Sequence, residues 1–446
     1  MGNKNKFFDI IVIGFALFAI FFGAGNLIFP PYLGVISGTK WVSSIVGFLV
    51  TDPILPVVAI IATAMVGGKA DDMGKRVGVT FAKVIQTICI LIIGAFFASP
   101  RTAATTHDVA VKQLFPGVPG FVTSIVFFAI VVFFTLNPGE VINKIGKILT
   151  PALLIILFLI IIKAIVVPVG PISQPMIEGT FLKGFTEGYN TMDALAGALF
   201  AGLVITDLIR KGYVEKKEQF RMLLGVGLVA VVLLALVYGG LTFIGACMSS
   251  YYQGQDPSSI ERVPLLIDLV TRVFGQVGKA AIGLAVTLAC LTTAIGLAST
   301  CGEYFENLSG GKLTYKPTAL ATIGVAFLMS LIGTEKIINV AVPVLLIIYP
   351  IFMCLVLFSL FDSVIKYNWT YTGAVVLVIP YAIITSLHDF FGIKALDGIA
   401  APLSKLPLTA AGFGWLLPAI VGSVIFTIIA VIVKGPTGPA GEREAA

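Results

Sequence analysis

The feature that most constrains this chain is a series of apolar runs about 20 residues long, separated by short charged or turn-rich segments. A helix of that length crosses the hydrocarbon core of a bilayer, which is about 30 Å thick. The sequence therefore predicts an all-α, polytopic membrane protein with about 12 transmembrane helices. The predicted spans are 7–36, 42–66, 79–99, 119–136, 148–167, 186–209, 222–247, 278–304, 317–333, 338–361, 370–387 and 413–433.

The composition agrees with a membrane protein and excludes other classes. Charged residues make up 12% of the 446 positions and hydrophobic residues 58%, whereas a soluble domain carries about 25% charge. The net charge of +6 lies in short loops, as expected for residues that set membrane topology, so it does not indicate nucleic-acid binding. HExxH, GxSxG and Cys/His patterns are absent from the sequence, so we expect a protein that is not an enzyme.

The distribution of Lys and Arg predicts the orientation of the chain. These residues are denser in alternate loops, which places both termini in the cytoplasm by the positive-inside rule. We expect one transmembrane domain over 1–436. The tail 437–446 is rich in Gly, Pro, Ala and Glu and has no apolar face, so it is predicted to be disordered.

Two spans contain polar, small-residue interruptions that predict broken helices. One lies at 23–26 in span one and the other at 189–193 in span six. They are five spans apart, which predicts a five-plus-five inverted repeat, the plan of many secondary carriers, over 7–167 and 186–361, with two additional helices in 370–433. The candidate substrate-binding residues at these breaks are Gly23, Ala24, Gly25, Asn26, Tyr189, Asp193, Ala194 and Gly197.

A broken helix exposes backbone groups that suit an amino acid zwitterion. Half-helix N-termini present N–H groups to a carboxylate, and unwound carbonyls accept from an ammonium group or bind a cation. Asp193 is an intramembrane acid suited to a substrate ammonium or to proton coupling. For Gly23 and Gly25, close helix packing is the alternative. Candidate apolar walls are Phe21, Phe22, Leu195 and Phe200.

Two further polar features lie in otherwise apolar spans. Thr292 and Thr293 in span eight offer hydroxyl ligands for a hard cation, or each bonds the carbonyl one turn back in its own helix. Arg101 follows Pro100 at the predicted outer end of span three. It either attracts a carboxylate, closes an outer gate, or extends to the lipid headgroups.

Two motifs together carry a family resemblance. Residues 23–31, GAGNLIFPP, and 99–103, SPRTA, resemble the BrnQ-type branched-chain amino acid carriers, bacterial sodium-coupled symporters. The resemblance implies the leucine-transporter fold, in which a sodium ion bridges the first and eighth helices. By that resemblance the Na⁺ ligands are expected at Ala19, Phe22, Ala289, Thr292 and Thr293.

The same resemblance implies substrates, location and coupling. Leucine, isoleucine and valine are the expected substrates, and the expected location is the bacterial inner or plasma membrane. Na⁺ is the coupling ion, and neither another cofactor nor an obligate protein partner is expected. Two alternatives stay open: an H⁺-coupled carrier of hydrophobic amino acids that uses Asp193, and a channel, which needs a continuous polar pore.

Overall fold

The computed structural model describes residues 5–136 and 140–434, with the side chains of residues 24, 140–150, 152, 153 and 434 excepted. The predicted disordered tail at 437–446 lies outside the described residues. The helices are α1 (Lys6–Phe21), α2 (Ala24–Ser37), α3 (Trp41–Leu49), α4 (Leu55–Val66), α5 (Val79–Leu91), α6 (Ala98–Thr106), α7 (Lys112–Leu114), α8 (Gly120–Leu136), α9 (Glu140–Val166), α10 (Thr180–Tyr189), α11 (Asp193–Arg210), α12 (Lys216–Tyr252), α13 (Arg262–Leu308), α14 (Tyr315–Ser330), α15 (Thr334–Leu360), α16 (Asn368–Phe391), α17 (Asp397–Ser404) and α18 (Leu416–Lys434).

Shorter helical turns join several of these helices into longer elements. Wide π-helical turns occur at Val50–Ile54, Ile92–Phe96 and His107–Val111. Tighter 3₁₀ turns occur at Gly38–Lys40, Ala70–Gly74, Pro257–Ser259, Lys394–Leu396 and Thr409–Ala411.

The helices confirm the predicted all-α membrane architecture. In the described part of the chain, seven helical stretches are long and apolar enough to cross a membrane, and the bent pair α10 and α11 raises this to as many as eight. All twelve predicted spans coincide with helices. The number of helices that cross the bilayer and the inverted repeat remain predictions.

Some predicted boundaries were wrong because polar residues continue a helix. Span three was predicted to end at 99, yet helical structure continues through α6 to Leu114. Pro100 lies in the first turn of α6, where a missing N–H costs no helical hydrogen bond. In span eight a non-helical kink at Gly275, with a φ of 63°, lies close to the predicted start at 278, and a further helical segment that begins at Arg262 precedes the kink.

Both predicted helix breaks are present, and each is narrower than the sequence suggested. Phe22 and Gly23 have extended backbones, so Ala24 already begins α2. Asn190 to Met192 separate α10 from α11, with Met192 at a φ of 66°. The axes of α10 and α11 differ by 49°. Each break therefore leaves the N-terminus of a half-helix inside the protein.

The half-helices beside the breaks pack against their neighbours almost backbone to backbone. A Cβ atom placed on Gly34 of α2 would lie 2.0 Å from the carbonyl oxygen of Thr242 in α12. A Cβ atom placed on Gly184 of α10 would lie 1.9 Å from the carbonyl oxygen of Ser44 in α3. Glycine permits this approach. The contacts therefore pair span one with span seven and span six with span two. In a five-plus-five repeat, span one corresponds to span six and span two to span seven, so these two pairs would be equivalent.

Candidate functional site

A cavity of about 50 Å³ lies where the two helix breaks meet. Its lining includes many apolar residues, one cationic side chain, Arg101, and one anionic side chain, Asp193. The lining residues are Ile20, Phe21, Gly23, Gly25, Asn26, Ile93, Ala98, Arg101, Thr102, Thr105, Thr191, Met192, Asp193, Ala196, Phe200, Thr293 and Leu297. The cavity is therefore lined by both charged and hydrocarbon groups.

The side chain of Asn26 connects the two breaks. Its amide nitrogen lies 2.6 Å from Asp193 Oδ2, 2.7 Å from Tyr238 Oη and 3.1 Å from Asp52 Oδ2. An amide nitrogen carries two hydrogens, so these three oxygens share them. The first turns of α2 and α11 are thereby held together inside the protein, where Asn26 is buried.

Asp52 is a site residue whose place the sequence did not reveal. In the sequence it directly precedes Pro53 within the predicted span 42–66. It has non-helical backbone angles, φ −156° and ψ 112°, and is fully buried. Its Oδ1 atom has no hydrogen-bond partner among the described residues. The available signal was an acid inside a span, which is rare and usually functional.

Arg101 is buried between the breaks rather than at the outer end of span three. Its Nη1 donates to the carbonyl of Asn190, and its Nη2 makes a long contact of 3.4 Å to the carbonyl of Thr191. The guanidinium lies against Gly25, where an added Cβ atom would stand 2.5 Å from Nη2. The predicted placement of Arg101 near the outer surface was therefore wrong.

The two threonines of span eight have different surroundings. Thr293 lines the cavity, and a Cβ atom placed on Gly23 would lie 3.6 Å from its hydroxyl oxygen. The hydroxyl of Thr292 lies 3.0 Å from the carbonyl oxygen of Ala289 and 3.2 Å from that of Leu288. Thr292 therefore bonds its own helix, the alternative raised from the sequence, whereas Thr293 faces the first break.

Other predicted site residues lie outside the lining of this cavity. Tyr189 stacks on Tyr349 with ring centroids 4.1 Å apart. A Cβ atom on Gly197 would meet the carbonyl oxygen of Pro56 at 2.6 Å, which indicates helix packing. Five more predicted site residues lie outside the cavity lining. Phe22 stacks on Phe18 and Tyr238, Ala19 is half-buried on α1, and the other three are the buried Ala194, Leu195 and Ala289. The side chain of Ala24 is not among those that the structure describes.

A second buried polar cluster, which the sequence analysis missed, joins four helices. Arg262 at the start of α13 lies 2.8 Å from Glu187 of α10 and 2.9 Å from Glu335 of α15. Lys183 lies 2.7 Å from the same Glu187 oxygen. The guanidinium of Arg262 also stands 4.4 Å from the ring centroid of Tyr32 on α2. We call these residues the Arg262 cluster; it ties both half-helices to α13 and α15.

A family model and two similar proteins point to the same class of membrane protein. Residues 6–433 match the family described as branched-chain amino acid transport protein. The chain is 34% identical over 438 residues to the branched-chain amino acid permease BraB of Bacillus subtilis (strain 168), covering 96% of this chain and 97% of that protein. It is 36% identical over 453 residues to the branched-chain amino acid permease BrnQ of the same organism, covering 97% and 99%.

A solved structure shares the fold. The inward-facing conformation of Mhp1 superposes with a TM-score of 0.62 at 13% sequence identity, covering 95% of this chain and 91% of that one. At this identity the likeness shows the fold alone.

Proposed function

The chain belongs to the branched-chain amino acid transport protein family, and we propose that it is a Na⁺-coupled symporter that imports leucine, isoleucine and valine by alternating access. Membership of this family makes the chain a multi-pass membrane carrier rather than an enzyme. The substrates are those in the names of its relatives. Sodium coupling and alternating access are our proposals.

The observation that best supports this function is the mixed character of the cavity. A branched-chain amino acid has a charged α-carbon end and a branched hydrocarbon end. The lining of the cavity combines the charged side chains of Arg101 and Asp193 with apolar side chains such as Ile20, Phe21 and Phe200. Ligand sites of this kind combine apolar walls with a few placed polar groups.

The proposed sodium site lies between the first break and span eight. Carbonyl oxygens at Ala19, Phe22 and Ala289 and hydroxyls at Thr292 and Thr293 are the proposed ligands, which suit a hard cation. The hydroxyl of Thr293 stands beside Gly23, whose extended backbone separates α1 from α2, and the last carbonyls of a helix such as α1 lack partners within that helix. A charge that moves through 100 mV supplies about 2.3 kcal/mol.

The contact between the two breaks supports this proposal of alternating access. The contact between Asn26 and Asp193 joins the broken spans one and six, so these spans form one body that rocks against the spans bearing Arg101 and Thr293. The Arg262 cluster lies at the end of the molecule that we propose faces outward, and its ion pairs hold that end closed. Opening outward separates these charged groups.

Both termini are proposed to be cytoplasmic. A single cysteine tests this, since all five native cysteines are buried. Ser258→Cys, in an exposed loop, should react from outside with a membrane-impermeant maleimide in whole cells, whereas Lys312→Cys should react only after permeabilisation. The reverse pattern would contradict the proposed topology.

The decisive experiment is uptake of radiolabelled leucine into proteoliposomes under an inward Na⁺ gradient, an inward H⁺ gradient, or neither. We expect uptake driven by Na⁺ and inhibited by isoleucine and valine but not by alanine. Uptake driven by H⁺ alone would show that H⁺ rather than Na⁺ is the coupling ion, and it would favour Asp193 as the proton carrier. Absence of leucine uptake under every gradient would contradict the substrate assignment.

A further inference from the structure

We infer that Arg101 binds the α-carboxylate of the substrate while Asp193 binds its ammonium group, so that the two side chains form a charge clamp selecting free α-amino acids. This inference rests on the proposed function. It assigns Arg101 to the substrate site, in place of the predicted outer gate.

Arg101 is a buried cation that makes no direct ion pair with a carboxylate of the described residues. It is 5% exposed, and no carboxylate of the described residues lies within 4.0 Å of its guanidinium. Arg262, comparably buried at 8% exposure, has two such carboxylates. A charge buried without a counter-ion is costly, and an intramembrane charge without one indicates a ligand.

The guanidinium of Arg101 keeps donors beyond those that contact the protein backbone. Of the five guanidinium N–H groups, two are directed at the carbonyls of Asn190 and Thr191. These contacts fix the guanidinium at the edge of the cavity, which it lines together with Gly25. A planar guanidinium held in this way matches the geometry of a carboxylate.

The N-terminus of α2 lies beside the guanidinium of Arg101. Gly25 belongs to the first turn of α2, whose free N–H groups favour negative charge. The guanidinium and this helix N-terminus therefore act on the same part of the cavity. Asp193, on the first turn of α11, is the one anionic side chain among the described lining residues. A zwitterion placed between Arg101 and Asp193 neutralises both.

The test uses ligand binding rather than transport, so that it does not depend on coupling. Purified carrier is equilibrated with radiolabelled leucine at one fixed Na⁺ concentration, and unlabelled leucine and leucinamide compete. Leucinamide keeps the ammonium group and the side chain but has a neutral amide in place of the carboxylate. For the unmodified protein we expect leucinamide to bind about 30-fold or more weakly than leucine.

Arg101→Met should weaken leucine binding about 30-fold or more and leave leucinamide within about threefold, so that the discrimination between them disappears. Arg272→Met is the matched control, because Arg272 is partly exposed and pairs with Asp268 away from the cavity. The control should keep both affinities. Equal losses of leucine and leucinamide in Arg101→Met, or unchanged discrimination, would overturn the inference.

Arg101→Lys covers the case in which Arg101→Met does not fold. Lysine keeps the charge but not the planar fork, so discrimination should fall to an intermediate value while leucinamide affinity is unchanged. Retention of the original leucine affinity in Arg101→Lys would overturn the clamp. If the unmodified protein does not bind leucine, the proposed function fails; if it binds leucine and discrimination is independent of Arg101, only the clamp fails.

Discussion

The amide nitrogen of Asn26 stands 2.6 Å from the carboxylate of Asp193, so a single hydrogen bond joins two half-helices that are 167 positions apart in the chain. Asp193 lines the cavity, and Tyr238 and Asp52 contact the same amide nitrogen of Asn26. A polar contact inside the membrane is maintained only if its partners are satisfied. We therefore expect changes at Asn26 or Asp193 to affect both breaks.

Asp193→Asn should weaken leucine binding about 30-fold or more, because it removes the charge that would pair with the substrate ammonium. The amide still accepts from Asn26, so folding should be retained. Competition by 4-methylpentanoate, which is leucine without its ammonium group, should stay within about threefold of the original value or improve. These affinities are measured by competition with radiolabelled leucine at fixed Na⁺.

Asp268→Asn is the matched control, since Asp268 is partly exposed and pairs with Arg272. It should leave leucine affinity unchanged. A result in which Asp193→Asn retains leucine binding but loses an H⁺-driven component of uptake would contradict the ammonium role and favour proton coupling.

Thr293→Ala should raise the Na⁺ concentration for half-maximal leucine uptake about tenfold, the effect of losing roughly 1.4 kcal/mol of ion binding. Thr292→Ala should raise it less, because the hydroxyl of Thr292 already bonds its own helix. The measurement is the Na⁺ dependence of initial uptake rates in proteoliposomes. Thr287→Ala, which removes a hydroxyl bonded to Gly283 in the same helix, should leave the Na⁺ concentration for half-maximal uptake unchanged. If the Na⁺ dependence of all three variants equals that of the unmodified protein, Thr292 and Thr293 are not part of the ion site.

The breaks could be predicted from the sequence because their signal is local. Glycine, asparagine and aspartate interrupt long apolar runs at 23–26 and 189–193, and such residues leave backbone groups that a continuous helix would satisfy. The exact break could not be predicted, because Ala24 and Asp193 are compatible with the first turn of a helix. Their place depends on what the half-helix packs against.

The polar network could not be predicted, because its members meet only through tertiary packing. Asn26, Asp52, Asp193 and Tyr238 lie on four different helical elements, and 212 positions separate the first from the last. The place of Arg101 depended on where span three ends. Pro100 reads as a terminator in sequence but occupies a first helical turn in the structure.

Gly25→Ala should weaken leucine binding about tenfold or more while the protein remains folded. The added methyl group would stand 2.5 Å from Nη2 and 3.0 Å from Cζ of Arg101, so the guanidinium must move out of the cavity edge. Gly324→Ala, where nothing lies within 4 Å of the added atom, is the matched control and should bind leucine normally. Both are measured by equilibrium binding. Unchanged affinity in Gly25→Ala would show that the contact with Arg101 is dispensable for binding.

Arg262→Met should destabilise the protein by about 3–5 kcal/mol, the usual cost of removing one partner from a buried ion pair. Glu187 is 2% exposed, and without Arg262 its carboxylate keeps Lys183 as its one cationic partner among the described residues. The measurement is the free energy of unfolding in detergent by denaturant titration. Arg272→Met, which breaks a partly exposed pair, should cost no more than about 1 kcal/mol.

A double variant separates a lost ion pair from a lost packing contact. If the cost of Arg262→Met arises from the stranded carboxylate, adding Glu187→Gln should restore part of the stability, because the neutral amide no longer needs a counter-ion. If the cost arises from the lost stacking of Arg262 on Tyr32, the second change should restore none of it. The ion pairs hold α10 against α13 and α15, and the stacking on Tyr32 adds α2. Arg262→Met should therefore also increase the labelling, by a maleimide applied from the outer side, of a cysteine placed at Ala196 in the cavity. Labelling that stays at the original level in a folded Arg262→Met protein would contradict a closing role for the Arg262 cluster.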